Sequence, residues 1–263
     1  MNYKKTYTPK VGYTKLCEIG KCSCNRLEFG MIKLNAGDSV AIDTQEKEYV
    51  LIFLTGHADV TVGDVTWQNV GGRENVFDGP CHSVYAPRRT KITVTGCDAV
   101  QIGVVDTPTD KDSQPEWRKP EQVKVLALGE TPWKRDCHII IDGESKADYL
   151  TIGESFVEPG NWAGYPGHKH DVDDMPRESV AEEIYYFLFD KEQGFGFQSL
   201  YTRDGEIDET YRVKNNDLTE FPKGYHLTQT APGYKMYILW LMAGDEQGIH
   251  RTNDPDHDWI LQK

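Results

Sequence analysis

Glu183-Ile184-Tyr185-Tyr186-Phe187-Leu188-Phe189 packs β-branched and aromatic side chains into one short run, and a run of that composition reads as a strand. Runs of the same kind recur on both sides, at Ala99–Val105, Ala147–Val157, Gly194–Tyr201 and Tyr234–Met242. Turn chemistry separates them: Arg203-Asp204-Gly205, Asn215-Asn216-Asp217, Pro222-Lys223-Gly224 and Ala231-Pro232-Gly233. The 24 glycines and 13 prolines are spread along the chain, and no long amphipathic helix interrupts the pattern. The expected fold class is all-β, a sandwich or barrel.

The same run belongs to a weak internal repeat. Glu48-Tyr49-Val50-Leu51-Ile52-Phe53 leads to Gly56-His57-Ala58-Asp59-Val60, then to Val84-Tyr85-Ala86-Pro87 and another strand. In the second half, Glu183 to Leu188 leads to Gly194-Phe195-Gly196-Phe197, then to Leu218-Thr219-Glu220-Phe221-Pro222 and a closing strand. Between them, the proline-rich and charged segment from Asp106 to Glu121 reads as a connector. The expected division is 1–120 and 121–263, and 263 residues suffice for one large or two small cores.

Composition excludes several functions. The net charge is −13, with no basic run, so nucleic acid is not an expected partner, because phosphate neutralisation needs clustered Lys and Arg. Met1 to Tyr7 has no apolar segment behind its lysines, and the longest apolar stretch, Tyr234 to Ala243, is half the length of a membrane span. A cytoplasmic protein with no membrane partner is expected. Without a secretory signal the six cysteines are expected as reduced thiols. Cys22-Ser23-Cys24 with Cys17 nearby matches no common zinc spacing and reads as thiols in a buried or half-buried segment.

The chemistry clusters in the second half. In His168-Lys169-His170 the two histidines are two residues apart, so on a strand both imidazoles face the same way. A Glu opening the neighbouring strand, Glu182 or Glu183, and His226 from a later one complete a set of three His and one carboxylate. Such a set suits one borderline divalent ion, Zn²⁺, Mn²⁺, Fe²⁺ or Ni²⁺, and does not choose among them. It leaves coordination positions for substrate or water.

Gly160-Asn161-Trp162, Pro166-Gly167-His168-Lys169-His170-Asp171, Pro176-Arg177-Glu178-Ser179 and Glu182-Glu183-Ile184-Tyr185-Tyr186 follow one another in order. Gly194-Phe195-Gly196-Phe197-Gln198, Pro222-Lys223-Gly224-Tyr225-His226 and Asp254-Pro255-Asp256-His257-Asp258-Trp259 complete the series. Together they resemble the 5-deoxy-glucuronate isomerases of inositol catabolism, densely over about residues 150 to 260 and only in general character before that. The resemblance implies a bicupin fold, two jelly-roll cupin barrels in tandem, with the metal in the C-terminal barrel and a degenerate N-terminal one. The first half agrees, having His57 and His82 but no His-x-His. By similarity the metal ligands carry over to His168, His170, Glu183 and His226, Glu183 being preferred as the residue directly before the apolar run. The long loop from Asp171 to Glu182 departs from the simplest cupin motif.

The activity implied is aldose–ketose isomerisation of 5-deoxy-glucuronate to 5-dehydro-2-deoxy-gluconate, in which a metal polarises an open-chain carbonyl and a base moves a proton between carbons. Glu182 and Glu178 are the candidate bases, with Tyr185 or Tyr225 as hydroxyl partners. The partner is a small-molecule sugar acid, with a homo-oligomer left open. Its carboxylate needs local positive charge in so acidic a chain. Arg177 is the first candidate, followed by Lys169, then Arg203 and Lys223; the competing role for Arg177 is an ion pair with Asp171, Asp173, Asp174 or Glu178. His257 is expected at the surface unless the tail folds back over the barrel mouth. The alternatives are a 4-deoxy-hexosulose-uronate isomerase of pectin breakdown, which would use the same ligands, and a cupin metal-dependent dioxygenase.

Overall fold

A computed structural model describes residues 2–262, and these residues form antiparallel sheets with only two short 3₁₀ turns, Pro120–Gln122 and Asp258–Leu261. In the first half a six-stranded sheet has the spatial order Glu116–Arg118, Ser83–Ala86, Lys47–Thr55, Val100–Pro108, Glu28–Leu34, Gly12–Cys17. It faces a four-stranded sheet of Ser39–Asp43, Lys91–Gly96, His57–Val62 and Val65–Gly71. In the second half a seven-stranded sheet runs Lys4–Thr6, Asp217–Phe221, Ala181–Phe189, Met236–Gly244, Leu150–Val157, Arg135–Ile141, Lys124–Leu128. Its partner holds Asp208–Lys214, Phe195–Tyr201, Tyr225–Thr230, Trp162–Lys169 and Thr252–Asn253. These are two double-sheet barrels in tandem, the all-β bicupin architecture.

The two large sheets stand back to back, and strand alternation explains why they can. Along Ala181–Phe189, residues Ala181, Tyr185, Phe187 and Phe189 enter the interior of the second barrel. Ile184 and Tyr186 face the opposite way, into a core shared with Phe29, Met31, Val50 and Ile52 of the first half. Met236–Gly244 is buried at every position for the same reason: Ile238 and Trp240 fill the barrel, while Tyr237, Leu239 and Leu241 fill the interface. A strand covered on both faces reads as a continuous apolar run, as this one does. Truncating a fully buried Leu such as Leu239 to Ala would cost roughly 2–5 kcal/mol.

The first barrel is filled by Leu51, Phe53, Val60, Ile92, Val94 and Ile102. Its histidines lie at the margin: His57 Nδ1 is 2.8 Å from the Asp98 carboxylate, and Trp117 Nε1 donates to His82 Nδ1 at 3.0 Å. Sheet membership passes from one barrel to the other between Arg118 and Lys124, so part of the proline-rich connector is an edge strand. The N-terminal strand Lys4–Thr6 crosses over and pairs with Asp217–Thr219 of the second barrel, held by ion pairs of Lys4 with Asp217 at 2.9 Å and Lys5 with Glu220 at 2.6 Å. No helix among the described residues is long and apolar enough to cross a membrane.

Candidate active site

Inside the second barrel, side chains from both sheets converge. His168 is the next-to-last residue of the strand Trp162–Lys169 and the register partner of His226 on Tyr225–Thr230. Glu183 comes from the opposite sheet, inward like Tyr185, and His170 lies just beyond the end of the first strand. Ligand atoms of His168, Glu183 and His226 all lie within 4.8 Å of one another, and His170 Nε2 is 3.0 Å from Glu183 Oε2. All four residues are buried.

The outer ring nitrogens are tied to backbone. His168 Nδ1 donates to Gly164 O at 3.1 Å, His170 Nδ1 to Ala181 O at 2.7 Å, and His226 Nδ1 to Gly224 O at 3.3 Å. A carbonyl only accepts, so the neutral His168 and His226 rings carry their lone pairs on Nε2, facing inward, whereas His170 Nε2 hydrogen-bonds to the Glu183 carboxylate. Burial, with Arg251, His226 and His170 nearby, holds the His168 imidazole well below its ordinary range, so that ring stays neutral. Burial would raise the Glu183 carboxyl, but its contacts with His170 and His226 hold it at about 2, so it is an anion. His226 Nε2 lies 2.9 Å from Glu183 Oε2, out of line for a hydrogen bond, and this buried nitrogen has no hydrogen-bond partner. Buried polar atoms are seldom left so. Inward ring nitrogens around one carboxylate, with the outer nitrogens fixed by backbone, are a group that could hold a divalent ion.

Gly164 makes the arrangement possible. The strand leaves its ladder between Ala163 and His168, and Gly164 adopts φ +67° with its carbonyl turned to His168. A Cβ there would stand 2.9 Å from His168 Cε1.

The cavity above the cluster is lined by Arg135, Cys137, Ser155, Tyr185, Trp240 and Arg251, among others. Of the residues expected to act on substrate, Tyr185 is there. Burial, followed by the Glu183 charge, pushes its hydroxyl well above the usual range, so it holds its proton. Glu182, one residue from Glu183, faces the other side of its strand and leaves the cavity altogether; its carboxylate accepts the backbone N–H groups of Asn25 at 2.8 Å and Arg26 at 2.9 Å. Glu178 organises the long loop instead of lining the cavity: it accepts from Lys169 Nζ at 2.7 Å, Asp171 N at 2.8 Å, Val172 N at 3.0 Å and the Thr252 hydroxyl.

The four expected cationic residues also lie outside the cavity lining, each neutralised by a carboxylate. Arg177 is exposed and pairs with Asp174, the competing role the sequence offered. Lys169 pairs with Asp171 at 2.5 Å and with Glu178, and is the outward residue between two inward histidines. Arg203 pairs with Asp254 and Asp256, and Lys223 with Glu206 at 2.7 Å. Positive charge in the cavity comes instead from Arg135 and Arg251. Arg135 alternates inward with Cys137 and Ile139. Arg251 immediately precedes the short strand Thr252–Asn253, which folds back onto Trp162–Lys169 beside His168. His257 in that tail is exposed. Neither guanidinium has a carboxylate within 4.0 Å among the described residues. Burial, together with the Arg251 charge, pulls Arg135 below its ordinary range. The signals were faint: Arg135 opens an apolar run, and Arg251 stands just ahead of the Asp254–Trp259 motif.

The family model described as KduI/IolB matches residues 10–260. The chain belongs to the KduI/IolB family. Within the family it is 36% identical over 239 residues to a protein named 5-deoxy-glucuronate isomerase from Bacillus licheniformis, covering 90% of this chain and 88% of that one. A 5-deoxy-glucuronate isomerase from Geobacillus kaustophilus is 37% identical over 235 residues, covering 89% and 85%. The crystal structure of an IolB-like protein from Salmonella typhimurium superposes with a TM-score of 0.95 at 31% identity, covering 99% of this chain and all of that one. An oxalate decarboxylase from Lactobacillus farciminis shares the fold, with a TM-score of 0.68 at 11% identity over 100% of this chain and 91% of its own.

Proposed function

We propose that this KduI/IolB protein is a metal-dependent aldose–ketose isomerase that converts 5-deoxy-glucuronate to 5-dehydro-2-deoxy-gluconate in the cytoplasm during myo-inositol breakdown. One observation carries the reading: three imidazoles and a carboxylate converge at the floor of a cavity whose lining also supplies two guanidinium groups with no carboxylate partner among the described residues. Such a cavity matches a substrate with oxygens for a cation at one end and a carboxylate at the other. The relatives named 5-deoxy-glucuronate isomerase support this substrate over the pectin-derived uronate.

His168, His170, Glu183 and His226 would hold one divalent ion, Zn²⁺, Mn²⁺, Fe²⁺ or Ni²⁺, whose chemistry is to polarise the open-chain carbonyl and its neighbouring hydroxyl. Buried Arg135 is repelled by the charge of the exposed Arg251 at the cavity rim, and a substrate carboxylate relieves that repulsion while gaining charge-assisted hydrogen bonds. This pair replaces Arg177, Lys169, Arg203 and Lys223 as the anchor. Tyr185, protonated and inward, offers a proton to a substrate oxygen as charge develops there. The residues 1–120 serve as a barrel with an apolar interior that backs the second.

Incubation of the purified protein with 5-deoxy-glucuronate, followed by NMR, should show the aldehyde signal replaced by that of a ketone without O₂ uptake. No turnover by metal-loaded protein, or turnover only of the 4-deoxy-hexosulose uronate, would overturn the substrate; O₂ uptake would overturn the reaction class.

A further inference from the structure

Outside the barrel cavity, two of the six cysteines meet a carboxylate, with a third cysteine beside them. Cys17 ends the strand Gly12–Cys17, and Cys22 and Cys24 follow in the loop that leads to Glu28–Leu34. The sulfurs of Cys17 and Cys22 and a carboxylate oxygen of Glu220 lie within 4.8 Å of one another, and Cys17 Sγ is 3.2 Å from Glu220 Oε1. Cys24 stands beside them in the same loop, its backbone carbonyl accepting from the Cys22 thiol at 3.5 Å. Cys17, Cys24 and Glu220 are buried, and Cys22 is half-buried, which gives the cluster a path to solvent. Glu220 belongs to the seven-stranded sheet of the second barrel, so the cluster joins the two halves.

We propose that Cys17, Cys22, Cys24 and Glu220 form a second metal site that takes one thiophilic divalent ion, Zn²⁺ in the cell, and staples the Cys22–Leu27 loop to the second barrel. Three sulfurs and one oxygen are a closed tetrahedral donor set, unlike the histidine-rich and open set in the barrel. Thiolates select Zn²⁺ over Mg²⁺, Ca²⁺ or Mn²⁺. Binding exchanges the three thiol protons, released to solvent, for the ion. Glu220 is already positioned as a ligand should be: Lys5 Nζ sits 2.6 Å from Oε1, and Ser23 N and Oγ donate to Oε2 at 2.8 and 2.6 Å. Lys5 also offsets the negative charge that three thiolates and a carboxylate leave over a divalent ion. The cysteine spacing matches no common zinc pattern because the fourth donor comes from a strand about 200 residues away, the separation already seen between Cys17 and Glu220.

The test uses the full chain purified under reducing conditions and loaded with Co²⁺ or Zn²⁺. Co²⁺ should give an intense near-ultraviolet thiolate charge-transfer band that survives His170→Ala and is lost in Cys22→Ser. Zn²⁺ content should be about two per chain in the wild type and about one in either variant. Zn²⁺ should also protect the half-buried Cys22 thiol from a thiol reagent in the wild type while exposed Cys97 still reacts, a measurement that does not depend on a variant folding. Absence of the charge-transfer band in the folded wild type, equal reactivity of all accessible thiols with and without Zn²⁺, or a disulfide among the three cysteines would each overturn the site.

Discussion

Glu48 and Glu182 occupy the same place in the two halves, and each holds the backbone of the other half. Glu48 is the second residue of Lys47–Thr55, and its carboxylate accepts the N–H groups of Asp148 at 2.8 Å, Tyr149 at 2.9 Å and Leu150 at 3.2 Å. Glu182 is the second residue of Ala181–Phe189 and accepts those of Asn25 and Arg26 in return. The next residue in each strand faces its own barrel interior: Tyr49 in the first, Glu183 in the second. One strand position thus supplies an apolar filler in one barrel and a metal-type carboxylate in the other.

Replacing Glu182 by Ala should therefore weaken the joint between the halves and spare the cavity. Leaving buried N–H groups without an acceptor costs about 1.5–3 kcal/mol, which lowers Tm by roughly 4–10 °C in a chain of this size. Metal content should not change. Glu183→Gln should do the reverse, losing metal with a smaller change in Tm. Thermal melts and elemental analysis on the two variants check this; metal loss from the Glu182 variant would mean the strand register is off by one.

His170→Ala should lower bound metal in the barrel site, and Gly164→Ala should act through His168. The added Cβ meets the His168 ring and must also adopt a positive φ. Displacing an orienting contact of a ligand typically costs ten- to a hundredfold in affinity, so about that loss is expected for Gly164→Ala. Titration with a competing chelator measures it.

Arg135→Met and Arg251→Met should each cut kcat/KM for the sugar acid about thirtyfold, which corresponds to a charge-assisted contact of about 2 kcal/mol. A neutral analogue carrying an alcohol in place of the acid should be hardly affected. Arg177→Met, exposed and paired with Asp174, should behave as wild type on both. Equal slowing of acid and neutral analogue in the Arg135 and Arg251 variants would show that they act on the fold rather than on the carboxylate.

Tyr185→Phe removes the protonated hydroxyl from the cavity and keeps the ring that packs against Phe221 at 4.8 Å. The expected result is a fall in kcat of about 10²–10⁴-fold, the usual share of a proton-transfer group, with KM and metal content close to wild type. An unchanged kcat would remove Tyr185 from the chemistry.

The sequence by itself determined the all-β fold, the repeat and the shared face of His168 and His170, because strand alternation is local: two residues apart share a face, and one residue apart do not. The same rule separated Glu183 from Glu182 in space. The turn of Glu183 rather than Glu182 toward the two histidines, and the approach of His226, came from the packed sheets. Which charges reach the cavity was not local. Lys169, Arg177, Arg203 and Lys223 lie close to the ligands in the sequence or in its motifs, yet each found a nearby carboxylate and turned away. Arg135 and Arg251, more than a hundred residues apart, meet the cavity only because one opens an inward-facing strand and the other is carried back by the C-terminal strand. Glu182 with the Asn25–Leu27 backbone and Cys17 with Glu220 are contacts of the same kind. Partners drawn together by sheet packing between two barrels leave no period in the sequence, so only the tertiary structure decided them.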